Sequence, residues 1–308
     1  MRVLLPYDSA EQARERLAPV PPGIDIDVIT STDVPPGVDE VVFLALPNDP
    51  ARELLKRIGD WPAPKLRWVQ LASAGYEHIV DLIPERLGVC NAAGVHDTGT
   101  AELAIGIALV ALRGLDRYAV DRRDEIFDPQ IGDSLADKRV LIVGYGHVGS
   151  AIERRLAGFE VASITRVAKH GRTDPVVNNV AVLPDLVGEA DVIFLALPGS
   201  GDTRHIVDAD LLSRMRDNTL IVNVGRGVLL DLDALMAENG RIRAALDVTD
   251  PEPLPPGHPL WHAGYVTWTP HQGGRTSAFH PRFDRLLRAQ LNRLEWNEPL
   301  LNIVRSPT

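Results

Sequence analysis

The segment that most restricts the fold of this chain is Val140-Leu-Ile-Val143 running straight into Gly144-Tyr-Gly-His-Val-Gly149 and then into Ser150-Ala-Ile-Glu-Arg-Arg-Leu156. An apolar β-run, a glycine-spaced turn and a helix in that order predict a βα unit whose three glycines have separate tasks. Gly144 allows the tight turn, Gly146 lets the backbone approach a pyrophosphate, and Gly149 lets helix and strand pack closely. The free amides at the helix start, those of His147 and Val148 among them, and the favourable end of the helix dipole suit a phosphate group. In this reading His147 contributes its amide and not its imidazole. The alternatives are a plain glycine-rich turn and a nucleotide-type fold that binds S-adenosylmethionine.

The rest of the chain repeats the alternation of β-like and helix-like runs, which argues for parallel sheets of the α/β class. Val3 to Leu5, Ile26 to Ile29, Val41 to Leu46, Trp68 to Leu71 and Val89 to Asn91 read as strands of an N-terminal unit, separated by clusters such as Pro21-Pro-Gly23. Thr98 to Leu115 has helical spacing, with Thr98 or Thr100 as its cap, and a polar stretch containing Asp128-Pro129 and Gly132-Asp133 follows. A second series of strands then runs through Val140 to Val143, Val161 to Thr165, Val192 to Leu197, Leu220 to Val224, Ala244 to Val248 and Val266 to Thr269. These are nearly all apolar, as expected where helices cover both faces of a sheet. Phe279 to Trp296 has a helical pattern and ends at Asn297-Glu-Pro299.

With 308 residues the chain is long enough for two domains, each burying its own core. A composition 45% hydrophobic and 24% charged is that of a globular protein. The formal net charge of -10 gives no general attraction to nucleic acid or anionic lipid, so small molecules are the favoured ligands. The single cysteine, Cys90, can form neither an internal disulfide nor a metal cage and reads as a buried strand residue; no metal site is expected. The start, Met1-Arg-Val-Leu-Leu-Pro6, lacks signal-peptide organisation, and the longest apolar run, Leu103 to Leu112, is too short for a bilayer. A cytoplasmic location is the expectation.

Three segments each place a chemically suitable residue just after an expected strand, at the carboxyl edge where open α/β sheets bind ligands. In Asn223-Val-Gly-Arg-Gly227 the planar guanidinium of Arg226 suits a carboxylate, and the flanking glycines leave room for a ligand. A surface ion pair is the other reading of that arginine. In Ala245-Leu-Asp-Val-Thr-Asp-Pro-Glu-Pro253, prolines hold Glu252 in one direction. In Thr269-Pro-His-Gln-Gly-Gly274, His271 can exchange a proton near neutral pH, and Gly273 and Gly274 leave room for a planar group. Singly, each of these residues is more often structural or solvated than catalytic; the case rests on the set.

In this order, the four motifs resemble the D-isomer-specific 2-hydroxyacid dehydrogenases, and the segment Asp247 to Pro255 is most similar to that of glyoxylate and hydroxypyruvate reductases. The resemblance runs from about Leu66 to the C-terminus. It implies two Rossmann-like domains with parallel sheets, a dinucleotide-binding domain of residues 96–275 inserted into a discontinuous flavodoxin-like substrate domain of residues 1–95 and 276–308. It implies that Arg226 binds the substrate carboxylate and carbonyl, that His271 is proton donor and acceptor, and that Glu252 holds the other imidazole nitrogen. The amides of Ser73-Ala-Gly75 would hold the carboxylate as well, and Asp247 would contact the nicotinamide carboxamide. Leu197, Pro198, Thr203, Val224 and Gly225 would line the dinucleotide, and the nucleotide domain would form a homodimer. Gly225 stands where alanine or serine is more usual, Gln272 replaces an apolar residue, and Arg117 to Asp128 lacks the family's tryptophans. Choice of acid would depend on loops near Leu46-Pro47 and Ser73 to Tyr76 and on Trp261.

Two neighbouring activities use the same framework. Formate or phosphite oxidation is one, although similar formate dehydrogenases carry glutamine at the position of Glu252; a dinucleotide-sensing corepressor is the other. For the cofactor, NADP is expected over NAD. The second strand of the nucleotide unit, taken as Glu160 to Thr165, ends at Thr165 and Arg166 with no carboxylate to repel a 2′-phosphate. Arg166 would pair with that phosphate, with Lys169 or Arg172 adding charge; solvated surface cations are the alternative.

Overall fold

Short apolar runs, stopped by prolines, glycines or acidic turns, become strands in both halves of the chain. A computed structural model describes residues 1–47, 51–77 and 79–308. The chain divides into two units, Met1–His96 with Ser277–Thr308, and Asp97–Thr276.

In the first unit the strands are β1 (Arg2–Leu5), β2 (Asp25–Val28), β3 (Val41–Ala45), β4 (Trp68–Gln70) and β5 (Gly88–Cys90). Among the described residues they form a six-stranded sheet with the C-terminal strand Ile303–Arg305, in the order C-terminal strand, β5, β4, β3, β1, β2. All neighbours are parallel except the C-terminal strand, which runs antiparallel to β5. Alternate residues serve opposite faces. Val3, Leu5 and Phe43 pack with Ala13 and Leu17 of helix α1 (Ala10–Leu17) and with Phe283, Leu287 and Leu291 of the C-terminal helix Phe279–Glu295. Leu4, Leu44 and Val69 pack with Leu54, Leu55 and Ile58 of α2 (Ala51–Ile58).

The second unit holds β6 (Arg139–Val143), β7 (Ser163–Ala168), β8 (Arg172–Thr173), β9 (Val176–Asn179), β10 (Val192–Leu195), β11 (Leu220–Asn223), β12 (Arg243–Leu246) and β13 (Val266–Trp268). Their order is β13, β12, β11, β10, β6, β7, β9, β8, parallel except for the β8–β9 pair. Chain order grows outward from β10 to β13 on one side and from β6 through β7 to β9 on the other, so the topological switch point lies at the carboxyl ends of β6 and β10. One face is covered by α3 (Asp97–Arg113), with α4 (Leu115–Arg123) following it, and by α5 (His147–Leu156). Ala104, Ala108 and Ile152 from α3 and α5 pack there against Ile142, Phe194 and Val222. On the other face Leu211, Leu212 and Leu235 meet Leu141, Ile193 and Ile221.

Three expectations are corrected. Helix α3 begins at Asp97, which puts Thr98 and Thr100 inside its first turn instead of at its cap, and it stops before Gly114, whose φ is +61°. The stretch read as a polar connection contains α4, which buries none of its residues and so carries no apolar stripe to announce it. The strand expected over Val161 to Thr165 lies at Ser163–Ala168, because pairing with β6 sets Arg139 opposite Ser163 and Val143 opposite Val167. Arg166 therefore sits within the strand and not at its tip.

Candidate active site

The glycine turn follows β6 at the switch point. Gly144 has φ +100°, and a Cβ there would sit 2.6 Å from the Ala196 carbonyl oxygen at the end of β10. A Cβ on Gly149 would run into the Gly144 carbonyl, so this glycine permits the close crossing of helix and strand. Gly146, the residue before α5, would meet nothing within 4 Å, which leaves its backbone open to a large ligand. The amides of His147 and Val148 open the helix, and the His147 imidazole lies 3.3 Å from Asp97 at the surface. This turn fits a dinucleotide pyrophosphate: two glycines build it and the third keeps it accessible.

Thr165 and Arg166 are interior residues of β7. Arg166 is held by Glu153 of α5 through Nε–Oε2 at 2.7 Å and a second contact from Nη2 to Oε1. Glu153 drives the guanidinium pKa up, and Arg166 holds the Glu153 carboxyl below its ordinary range. The charge expected at a 2′-phosphate is thus already neutralised. Arg172 is differently placed: its Nη2 donates to the Tyr145 carbonyl in the glycine turn at 2.6 Å, and its guanidinium lies 5.5 Å from the Tyr145 ring centre. Lys169, just past β7, pairs with Asp202 at 3.3 Å, both side chains being largely exposed. The sequence reading gave Arg172 only a secondary part, since the turn that brings it back to Tyr145 has no local signature.

At the end of β10, Leu197 is buried and the Pro198 carbonyl accepts the Thr203 hydroxyl at 2.8 Å. The Val224 amide donates to Leu195, so the ends of β10 and β11 lie side by side. The buried Asn223 side chain shapes the next loop, accepting from the Gly225 amide at 3.1 Å and donating to the Arg226 carbonyl at 2.9 Å. The glycines flanking Arg226 do not serve ligand access. A Cβ on Gly225 would sit 2.7 Å from the Leu197 carbonyl oxygen, and one on Gly227 would run into the Thr249 carbonyl; both allow backbones to touch. Arg226 is half-buried, and its Nη1 donates to the Gly225 carbonyl at 2.7 Å.

His271 Nδ1 lies 2.6 Å from Glu252 Oε1, the two side chains being 51% and 42% exposed. The hydrogen bond to Glu252 holds the imidazole above its ordinary pKa, while partial burial and the nearby Arg226 charge oppose it. In turn the His271 hydrogen bond holds the Glu252 carboxyl below its ordinary range. With Nδ1 committed to the carboxylate, Nε2 is the nitrogen that can serve a substrate. The His271 backbone has φ +52°, a conformation unusual for histidine, and its amide donates to the Asp247 and Thr269 carbonyls.

Asp247 has a structural task besides the ligand contact that the resemblance implied. Its carboxylate is 2% exposed and directed into the His271 loop, accepting from the Thr269 hydroxyl at 2.7 Å, the Gln272 amide at 2.6 Å and the Gly273 amide at 2.9 Å. It braces the loop that carries His271. The Gln272 side chain turns back to the Pro270 carbonyl, and a Cβ on Gly273 would come within 3.0 Å of Asp247 Oδ2. Trp261 is anchored by its Nε1 to the Pro255 carbonyl and edge-on to Trp268. Ser73, Ala74 and Gly75 lie in the first unit, on the loop after β4, while all the residues above lie in the second.

Residues 105–273 match the family model described as the NAD binding domain of D-isomer specific 2-hydroxyacid dehydrogenase. The chain is 31% identical over 234 residues to the glyoxylate reductase/hydroxypyruvate reductase of Mus musculus, covering 72% of this chain and 71% of that protein. It is 28% identical over 287 residues to the glyoxylate reductase of Thermofilum pendens, covering 87% and 84%. A solved structure of an NADPH-dependent glyoxylate/hydroxypyruvate reductase from Sinorhizobium meliloti, in complex with NADP and malonate, is similar with a TM-score of 0.73 at 26% identity, over 98% of this chain and 96% of that one. Fold and site together define an oxidoreductase built around a nicotinamide dinucleotide. More narrowly, the chain belongs to the D-isomer specific 2-hydroxyacid dehydrogenase family.

Proposed function

We propose that the chain reduces a small 2-keto acid of the glyoxylate or hydroxypyruvate type to its D-2-hydroxy acid, with NADPH preferred over NADH. The observation that carries this reading is the His271–Glu252 pair at 2.6 Å, in which the carboxylate holds the imidazole pKa above its ordinary value. Arg226 binds the carboxylate and polarises the carbonyl. Within the unit of residues 1–96 and 277–308, the Ser73, Ala74 and Gly75 amides are the groups suited to a carboxylate. A nicotinamide, when bound, would supply the hydride for the keto carbon. His271 delivers its Nε2 proton to the developing alkoxide, and in the oxidative direction neutral His271 takes it back. The turn from Gly144 to Gly149 holds the pyrophosphate.

The preference for NADPH is supported by the carboxyl end of β7, Ala168-Lys169-His170, which carries no carboxylate, and by Arg172 at the glycine turn. Arg172, with Lys169, replaces Arg166 as the partner of a 2′-phosphate. A second copy of the chain is the proposed partner: Leu115, Val120, Ile126, Phe127 and Ile131 expose apolar surface along one continuous segment, Phe127 at 95%. Sedimentation of the wild type against Phe127→Asp tests this, and a monomeric wild type refutes it. The activity is tested with a panel of 2-keto acids and both reduced cofactors, followed by loss of nicotinamide absorbance. No turnover with any acid would overturn the reading in favour of a dinucleotide-sensing protein.

A further inference from the structure

The loop Ala72 to Gly75 shows an uneven use of its backbone groups. All four carbonyls are taken: Ala72 by His96 Nε2 at 2.8 Å, Ser73 by the Ala92 amide at 2.8 Å, Ala74 by Asn91 Nδ2 at 2.7 Å and Gly75 by the Ser73 hydroxyl at 2.7 Å. The amides of Ser73, Ala74 and Gly75, in contrast, have no protein acceptor among the described residues. Ser73 and Ala74 are half-buried and Gly75 is buried, so these three successive donors remain available to an anion.

We infer that Asn91 and His96 are positioning residues for substrate binding, which occupy the loop carbonyls and so keep the amide edge turned to the substrate carboxylate. The inference rests on the reading that residues 73–75 hold that carboxylate. Both residues are fixed from behind. Asn91 accepts from the Ala93 amide at 3.1 Å through Oδ1, its carbonyl accepts Gln70 Nε2 at 2.9 Å, and its amide donates to the Asn302 carbonyl at 3.0 Å. Gln70 is completely buried and is held in turn by Gln290 of the C-terminal helix at 2.8 Å. The His96 ring stacks on Phe279 with centres 5.3 Å apart, and its Nδ1 is buried without a partner. The ring donates from Nε2, since that atom faces a carbonyl, which can only accept. Asn91 and His96 therefore each present a donor that cannot be rotated away.

The test is steady-state kinetics with glyoxylate and saturating NADPH, together with fluorescence titration of NADPH. Asn91→Asp keeps the shape but sets an acceptor against the Ala74 carbonyl, and His96→Leu removes the donor to Ala72. Each is expected to raise KM about tenfold, the usual effect of losing a buried hydrogen bond, while kcat and NADPH affinity stay within about twofold. His96→Gln, whose amide can replace Nε2, restores most of the KM. Ala74→Pro deletes one loop amide directly and raises KM on its own. If Ala74→Pro raises KM while Asn91→Asp and His96→Leu leave it unchanged, the positioning role is wrong and the carboxylate loop stands. If all three leave KM unchanged, the loop reading falls with it. A parallel loss of NADPH affinity, or failure of the glutamine rescue, would make the two residues merely structural and also overturns the inference.

Discussion

Asp247→Asn is the most direct test of how the His271 loop is held. Oδ1 receives the Thr269 hydroxyl and the Gln272 amide, and Oδ2 receives the Gly273 amide. An asparagine must put its NH2 in one of these places, and either way a backbone N–H is left facing another donor. The smallest loss, with NH2 in the place of Oδ2, is one hydrogen bond to a charged group plus one buried donor without an acceptor, together about 2–3 kcal/mol. In a unit of this size each kcal/mol moves the melting temperature by about 2–4 °C, so a fall of about 4–12 °C is expected. Freed from its brace, a histidine at φ +52° relaxes away from Glu252, and displacement of a catalytic group by about 1 Å costs up to roughly a hundredfold in turnover. Scanning fluorimetry measures the first effect and kcat for glyoxylate with NADPH the second. A variant that melts with the wild type and turns over at its rate would refute the brace.

Alanine at His271 or Arg226 is expected to lower turnover by about a hundredfold or more with NADPH affinity nearly intact, since each removes one chemical group from the transition state. Kinetics beside a cofactor titration check it, and near wild-type turnover in either variant defeats the assignment. Glu252→Gln removes the carboxylate that raises the His271 pKa. Because reduction needs protonated His271, the alkaline limb of the reductase pH profile moves to lower pH, and an unmoved limb excludes Glu252 from the pair. Arg172→Ala is expected to cut the ratio of catalytic efficiencies with NADPH and NADH by about tenfold, whereas Arg166→Ala leaves that ratio near wild type and instead lowers thermal stability. A ratio that follows Arg166 would show that Glu153 releases it when cofactor binds.

The apolar strands of both sheets and the loops carrying the three catalytic candidates were legible because each depends on local pattern, an apolar run between breakers with a polar residue after it, whereas β8, β9 and the C-terminal strand Ile303–Arg305 carry no such run and were missed. The glycine turn was legible for the same reason. Arg166 was placed at a strand end because strand register is a property of the pair. Alone, Val161 to Thr165 reads as the more apolar run, but the register with β6 carries the strand on to Ala168, and Glu153 from α5 makes an arginine tolerable inside it. The bracing contacts of Asp247 were missed because nothing in the sequence shows that Thr269, Gln272 and Gly273 return to it from more than twenty residues away. Long-range hydrogen bonds of this kind leave no periodic trace. Helix α4 escaped because it has no buried face.

The order of the strands explains why residues so far apart in the chain act as one group. β10, β11, β12 and β13 are successive neighbours in the parallel sheet, so their carboxyl-end loops lie in a row. Each loop is set by the next: the Leu197 carbonyl limits what can stand at position 225, the Thr249 carbonyl limits position 227, and Asp247 at the end of β12 holds the loop after β13. Arg226, Glu252 and His271 are carried by three members of that row. A side chain added at Gly227 pushes against the Thr249 carbonyl, and Thr249 lies on the same short segment as Glu252. Such a change therefore reaches the His271–Glu252 hydrogen bond without touching either residue. The glycines around Arg226 thus act through the proton donor as much as through the arginine, and the geometry of the pair depends on close backbone contact one strand away.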